Sequence, residues 1–257
     1  MPDPGFRSPL IDFFRRGEVA RDVRLLAAQG ALAPRAQEQL ALLVLLADDP
    51  DPEIARATAD TLGALPVAPL AAFLGRSDVP REIRAFFAQR GVEPAAAPGD
   101  TADLDEPLLD TLAQVPDAPD GDDPERKLLT SLSVIDRMKL AMKGTREQRA
   151  QLVRDTNRLV AAAVLSSPKL TDAEVETFTK MGNVSEDTMR AIGTNRAWLK
   201  NYGVLVGVCR HPKTPPAISM QLAHRLNERD LKTLTTDRNV QDGLRQLARK
   251  LVIKGRT

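Results

Sequence analysis

Two histidines and one cysteine are the scarcest reactive side chains in this chain of 257 residues. Cys209 and His211 stand two residues apart, and His224 follows thirteen residues after His211. Zinc takes four ligands, and the spacing around these three supplies no fourth. Cys209 closes the apolar run Val204–Val208, which reads as a small buried side chain rather than a nucleophile. His211 precedes Pro212 in a turn, and His224 falls on the helix beyond it as a surface or interface residue. Gly182, Gly203 and Gly207 follow no strand, so they form no phosphate loop; close helix packing or helix ends account for them. No catalytic residue, cofactor motif or metal site follows from these patterns, and the expectation is a protein that is not an enzyme.

One stretch combines side chains suited to recognition. Residues 194–213, "TNRAWLKNYGVLVGVCRHPK", hold the only tryptophan and the only tyrosine. Trp198 and Tyr202 lie four apart, on one face of a helix expected over 195–209, with Arg196, Lys200, Arg210 and Lys213 interleaved. Aromatic and basic groups on one ridge can stack bases or clamp phosphates. The plainer reading packs both rings between helices and leaves the basic heads in water. These six residues are the candidate partner-binding set.

The elements that must position them are helical. Hydrophobic residues make up 42% of the chain but aromatics only 4%, with alanine and leucine supplying most of the apolar mass. That mix favours closely packed helices over a sheet. Residues 1–92 carry 11 Arg and no Lys against 12 acids; residues 93–125 carry 11 acids and no base; residues 126–257 carry 25 Lys and Arg against 12 acids. The asymmetry implies an N-terminal module (1–92), an acidic, Pro-rich, disordered linker (93–125) and a basic C-terminal module (126–257). Within the linker, Leu108, Leu109, Leu112 and Val115 fall at helical spacing, which reads either as a short docking helix or, more plainly, as a frayed turn in a disordered linker. A single cysteine, no signal peptide and no uninterrupted apolar span point to the cytoplasm, and the Ala/Arg-rich first half to a bacterial source.

Punctuation recurs along the chain. Asp49-Pro50-Asp51-Pro52 forces a turn ahead of a helix whose residues Ile54, Ala57, Thr58, Thr61, Leu62 and Leu65 share one face. Residues 69–84, 174–190 and 230–245 can be superposed. Leu70, Val175 and Leu231 precede an Asp or Asn (Asp78, Asn183, Asn239) by eight residues; Phe73, Phe178 and Leu234 precede it by five. Val79, Val184 and Val240 follow it, and Ile83-Arg84, Met189-Arg190 and Leu244-Arg245 come a few residues later. Each copy reads as helix, Asx-type turn, helix, with the Asp/Asn side chain accepting a backbone N–H and the valine plugging the corner. Repeated helix pairs at this period indicate an α-solenoid of stacked antiparallel helix pairs.

The segment "DDPDPEIARATADTLGAL" resembles a HEAT repeat, with Pro52, Ile54, Ala59, Leu62, Gly63 and Leu65 on the family pattern and Ala55 where that pattern has arginine. The turns near 78, 183 and 239 resemble the leucine-rich-repeat-variant relatives of HEAT. The resemblance implies a right-handed helical stack that binds other macromolecules, with no catalytic residues. The expectation is a non-catalytic adaptor or scaffold for a protein partner, without cofactors and without a membrane span. The alternative is a nucleic-acid-binding protein using the basic residues of 126–257.

Composition alone predicts that limited proteolysis cuts first between about 93 and 125. Both fragments should keep their helical circular-dichroism signal. First cleavage within 150–240 would contradict the modular reading.

Overall fold

The computed structural model describes residues 8–33, 35–95, 106–109, 129 and 132–254. The described residues form fifteen α-helices and no strand. The chain divides into two compact units, residues 1–145 with 166–168, and residues 146–165 with 169–257.

The first unit holds α1 (Pro9–Arg15), α2 (Arg21–Ala28), α3 (Ala36–Leu46), α4 (Pro52–Ala64), α5 (Val67–Leu74), α6 (Arg81–Ala88) and α7 (Val134–Lys143). Every side chain of α3 from Leu40 to Leu46 is buried, as expected of a helix that is apolar all round. Helices α1, α2, α4 and α6 pack against it.

The Asp-Pro-Asp-Pro turn joins two of these neighbours. Asp49 accepts the Asp51 N–H at 2.9 Å, and Asp51 accepts the Glu53 N–H at 3.0 Å, capping α4 with Pro52 as its first residue. From α2, Arg24 reaches Asp49 at 2.6 Å and Arg21 reaches Asp51 at 2.7 Å and also Glu53. The Arg21 guanidinium holds the Asp51 carboxyl below its ordinary range, with the Glu53 N–H adding to the effect. The turn acids thus meet arginines from α2, two helices before α4, while position 55 is alanine.

The chain leaving α6 straps back across the unit. The Ala95 N–H donates to the Ala71 carbonyl at 2.9 Å, and a side-chain carbon on Gly75 would stand 1.9 Å from the Ala95 oxygen. Of the expected docking helix, residues 106–109 are described and are not helical; Leu112 and Val115 lie outside the described residues. Leu109 docks through its backbone instead. Its N–H donates to Gln39 Oε1 at 3.2 Å and its carbonyl accepts from Gln39 Nε2 at 2.9 Å.

The second unit holds α8 (Arg146–Leu152), α9 (Arg158–Ser166) as far as Leu165, α10 (Asp172–Phe178) and α11 (Glu186–Thr194). One 3-10 turn, Trp198–Lys200, then leads to α12 (Tyr202–Arg210), α13 (Pro216–Ala223), α14 (Glu228–Leu234) and α15 (Asp242–Lys254). Packing steps along the sequence: α8 on α10, α10 on α12, α11 on α12 and α13, α12 on α13, and α13 and α14 on α15.

An ion pair locks the first of these contacts. Arg149 on α8 donates from Nε and Nη2 to Glu174 Oε1 at 3.0 and 2.8 Å, with both side chains almost fully buried. Glu174 Oε2 accepts the Thr171 N–H and hydroxyl at 3.1 and 2.9 Å, completing a capping box at the start of α10. Desolvating two charges is offset only because both carboxylate oxygens are occupied.

The superposed segments share one pattern of burial. Leu70, Val175 and Leu231, Phe73, Phe178 and Leu234, Val79, Val184 and Val240, and Ile83, Met189 and Leu244 are all buried. They span α5–α6, α10–α11 and α14–α15. Two copies share a further link: Arg84 and Arg245 each donate to the carbonyl eight residues back, on Arg76 at 2.6 Å and Asp237 at 3.3 Å. The turn chemistry differs from the expected Asx scheme. Asp78 binds the Arg76 guanidinium at 2.9 and 2.7 Å, and in the third copy Asp237 accepts the Asn239 N–H at 2.9 Å. In the second copy Ser185, one residue past the valine, caps α11 by accepting the Thr188 N–H at 3.2 Å. A backbone donor takes whichever nearby oxygen is presented first, so the acceptor migrates while the apolar plug stays.

Val240→Asp should lower the unfolding free energy by about 3 kcal/mol or more, because it buries an unpaired carboxylate at the corner. The exposed neighbouring change Asn239→Asp should stay within about 0.5 kcal/mol. Urea titration of both variants checks the contrast.

Candidate functional site

A groove of about 810 Å³ runs over α10, α12 and α14 in the second unit. Helix α12 supplies its central wall. Val204, Leu205, Val208 and Cys209 form the buried face of that helix, so Tyr202, Gly203, Val206, Gly207 and Arg210 are turned to the groove. Glu176, Thr179 and Lys180 come from α10 and the turn after it, and Asp230 comes from α14. Asp237 and Asn239 belong to the α14–α15 turn.

Two glycines let α12 approach α10. A side-chain carbon on Gly203 would lie 2.5 Å from the Glu176 carboxylate, and one on Gly207 would lie 1.9 Å from Thr179 Oγ1. Glu176 can swing aside. Thr179 is short, buried and held by its hydroxyl donating to the Glu176 carbonyl at 2.8 Å.

The rim is polar and internally bonded. The Tyr202 hydroxyl donates to Asp230 at 2.7 Å and accepts the Asn227 N–H at 3.0 Å, tying the start of α12 to the start of α14. Partial burial raises the Tyr202 pKa above its ordinary value, with the Asn227 N–H opposing and Asp230 adding to the rise. Lys180 pairs with Glu176 at 2.7 Å, and Arg210 lies 3.6 Å from Asp237.

His211 closes one end of the groove. Its Nδ1 accepts the Lys213 N–H at 3.2 Å, which leaves Nε2–H to donate to the Met181 carbonyl at 3.0 Å. Burial lowers its pKa, so the imidazole is neutral at pH 7, and both ring nitrogens are committed to the fold. Cys209 is buried, its thiol 3.9 Å from the Ser219 carbonyl, and burial pushes its pKa up to about 12. Among the described residues no group of three or more His, Cys, Asp or Glu could hold a metal ion, and no single helix is long and apolar enough to cross a membrane.

Of the six candidate residues, Tyr202 and Arg210 share the groove; Arg196, Trp198, Lys200 and Lys213 are not among its lining residues. Trp198 and Tyr202 do not share a helix, contrary to the continuous helix expected over 195–209. Asn195 accepts the Ala197 N–H at 2.9 Å and Asn201 accepts the Gly203 N–H at 2.8 Å, so two asparagine side chains end one helix and begin another. Arg196 and Lys200 are exposed around the intervening 3-10 turn, Trp198 is half-buried within it, and Lys213 is exposed after α12. Residue types around Trp198 gave no sign of Glu176, Lys180, Asp230 and Asp237. The signal available for them was the small-residue pair Gly203 and Gly207, which marks where another helix must cross.

Comparison with protein-family models, with curated proteins and with solved structures finds no match.

Gly207→Ala should destabilise the second unit by about 1–3 kcal/mol, since Thr179 cannot move away without losing its own bond. Gly203→Ala should cost clearly less, because Glu176 can rotate. Thermal melts of the two variants give the ordering.

Proposed function

We propose that this chain is a non-catalytic helical-repeat scaffold of HEAT-like type. In this reading stacked helix pairs make up both units, and the groove over α10, α12 and α14 receives a cytoplasmic protein partner. The packing of several helices on their second neighbours, α8 on α10, α10 on α12, α11 on α13 and α13 on α15, supports the stacked arrangement.

One observation carries the choice of partner: the groove's cations each have an acid beside them, Lys180 with Glu176 and Arg210 with Asp237. Nucleic-acid binding draws its strength from cations that neutralise phosphates and release counterions. A groove of alternating sign with an exposed tyrosine on its rim suits a polypeptide, whose own charges can exchange with these pairs. Arg196, Lys200 and Lys213 outside the groove are the residues on which the nucleic-acid alternative rests.

The test uses the full chain as bait in native lysate, compared with a Lys180→Glu/Arg210→Glu variant that alters only exposed positions. A partner retained by the wild type and lost about tenfold or more by the variant is expected. A salt-dependent shift of a labelled DNA duplex, abolished by Arg196→Ala/Lys200→Ala/Lys213→Ala, would replace this reading with the nucleic-acid one.

A further inference from the structure

Gln39 is only 1% exposed, yet both N–H donors of its side-chain amide and its carbonyl oxygen are hydrogen-bonded. Nε2 donates to the Gly30 carbonyl at 3.0 Å and to the Leu109 carbonyl at 2.9 Å, while Oε1 accepts the Leu109 N–H at 3.2 Å. A residue that offers both its N–H and its C=O to one amide does what a residue does in a paired strand. Gln39 therefore reads backbone, and it does so across 70 residues of sequence.

The side chain of Leu109 is recognised beside it. Gly30 has φ +77°, the left-handed conformation that closes α2. A side-chain carbon there would lie 3.9 Å from Leu109 Cδ1 and 3.4 Å from Thr61 Cγ2 and Gln39 Nε2. Glycine at this position is thus set by its backbone, and it stands within van der Waals reach of the Leu109 side chain.

We propose that the first unit carries a peptide-binding site, formed by Gln39, Gly30 and Thr61, and that Glu106–Leu109 is a tethered occupant of it. The ligand it fits is a short peptide with leucine at the position of Leu109, preceded by proline and leucine and flanked by acids. Without an occupant, buried Gln39 loses two of its three bonds, so the site demands a peptide backbone that offers both N–H and C=O. Ten residues, 96–105, separate the segment from the strapped residue Ala95. A tether of that length gives an effective concentration of the order of millimolar, low enough for a tighter peptide to displace it. This inference is independent of the groove in the second unit.

The probe is a fluorescent peptide of residues 104–112, LDEPLLDTL, added to the full chain. Wild type should bind it weakly, and a Leu108→Ser/Leu109→Ser variant, whose own segment no longer fills the site, at least about tenfold more tightly. Adding Gln39→Met to that variant should remove the gain. The same peptide N-methylated at the nitrogen of its second adjacent leucine cannot donate to Gln39 and should bind about tenfold less tightly. A folded serine variant that ignores the peptide overturns the proposal, and so does equal affinity for the methylated and plain peptides. Should the serine variant fail to fold, hydrogen exchange on the wild type decides. Excess peptide must then deprotect the Leu109 amide, and an amide that stays protected overturns the site as exchangeable.

Discussion

Most of the described helices are seven to nine residues long, and an isolated helix of that length is unstable in water. Every such helix exists because a neighbour completes it. The constraint falls hardest on corners, where two short helices must meet at a fixed angle before either can bury its apolar stripe. At three corners the chain meets it alike, with a buried valine between an apolar pair on the incoming helix and an apolar residue on the outgoing one. A β-branched side chain suits this place because its single preferred rotamer holds the angle without further cost in entropy.

Polar devices then differ from corner to corner. Arginine reaches back to a carbonyl in the α5–α6 and α14–α15 copies, and a serine caps α11 in the other. The buried Arg149–Glu174 pair does a related task between α8 and α10. It spends its desolvation on orienting two seven-residue helices that have few apolar residues to offer. Around Asp49 and Asp51, arginines of α2 serve the same end: the exposed Arg21 pair contributes little beside the cap, while Arg24 meets an Asp49 side chain that is itself buried.

What could be read from the sequence was whatever recurs locally. The apolar columns at Leu70, Val175 and Leu231 and at the three valines were visible because burial leaves a periodic trace. The helix break at Asn195 and Asn201 was legible in principle, since asparagine competes for backbone donors, but the surrounding apolar rhythm concealed it. The groove and the Gln39 contact could not be read at all. Glu176 meets Lys180 locally, but Tyr202 finds Asp230 and Gln39 finds Leu109 across distances that leave no spacing to detect. The leucines near 109 were noticed for their helical spacing, whereas the structure uses the backbone between them.

Cys209 gives this molecule an internal clock. It is the only thiol in the chain, it lies on the buried face of α12 against α13, and with its pKa pushed up to about 12 it is held in the unreactive protonated form. An alkylating reagent can reach it only when those helices part, and on exposure it regains an ordinary thiol's reactivity. The rate at which the native protein takes up such a label therefore counts the openings of the second unit's interior, with no tag or substitution introduced.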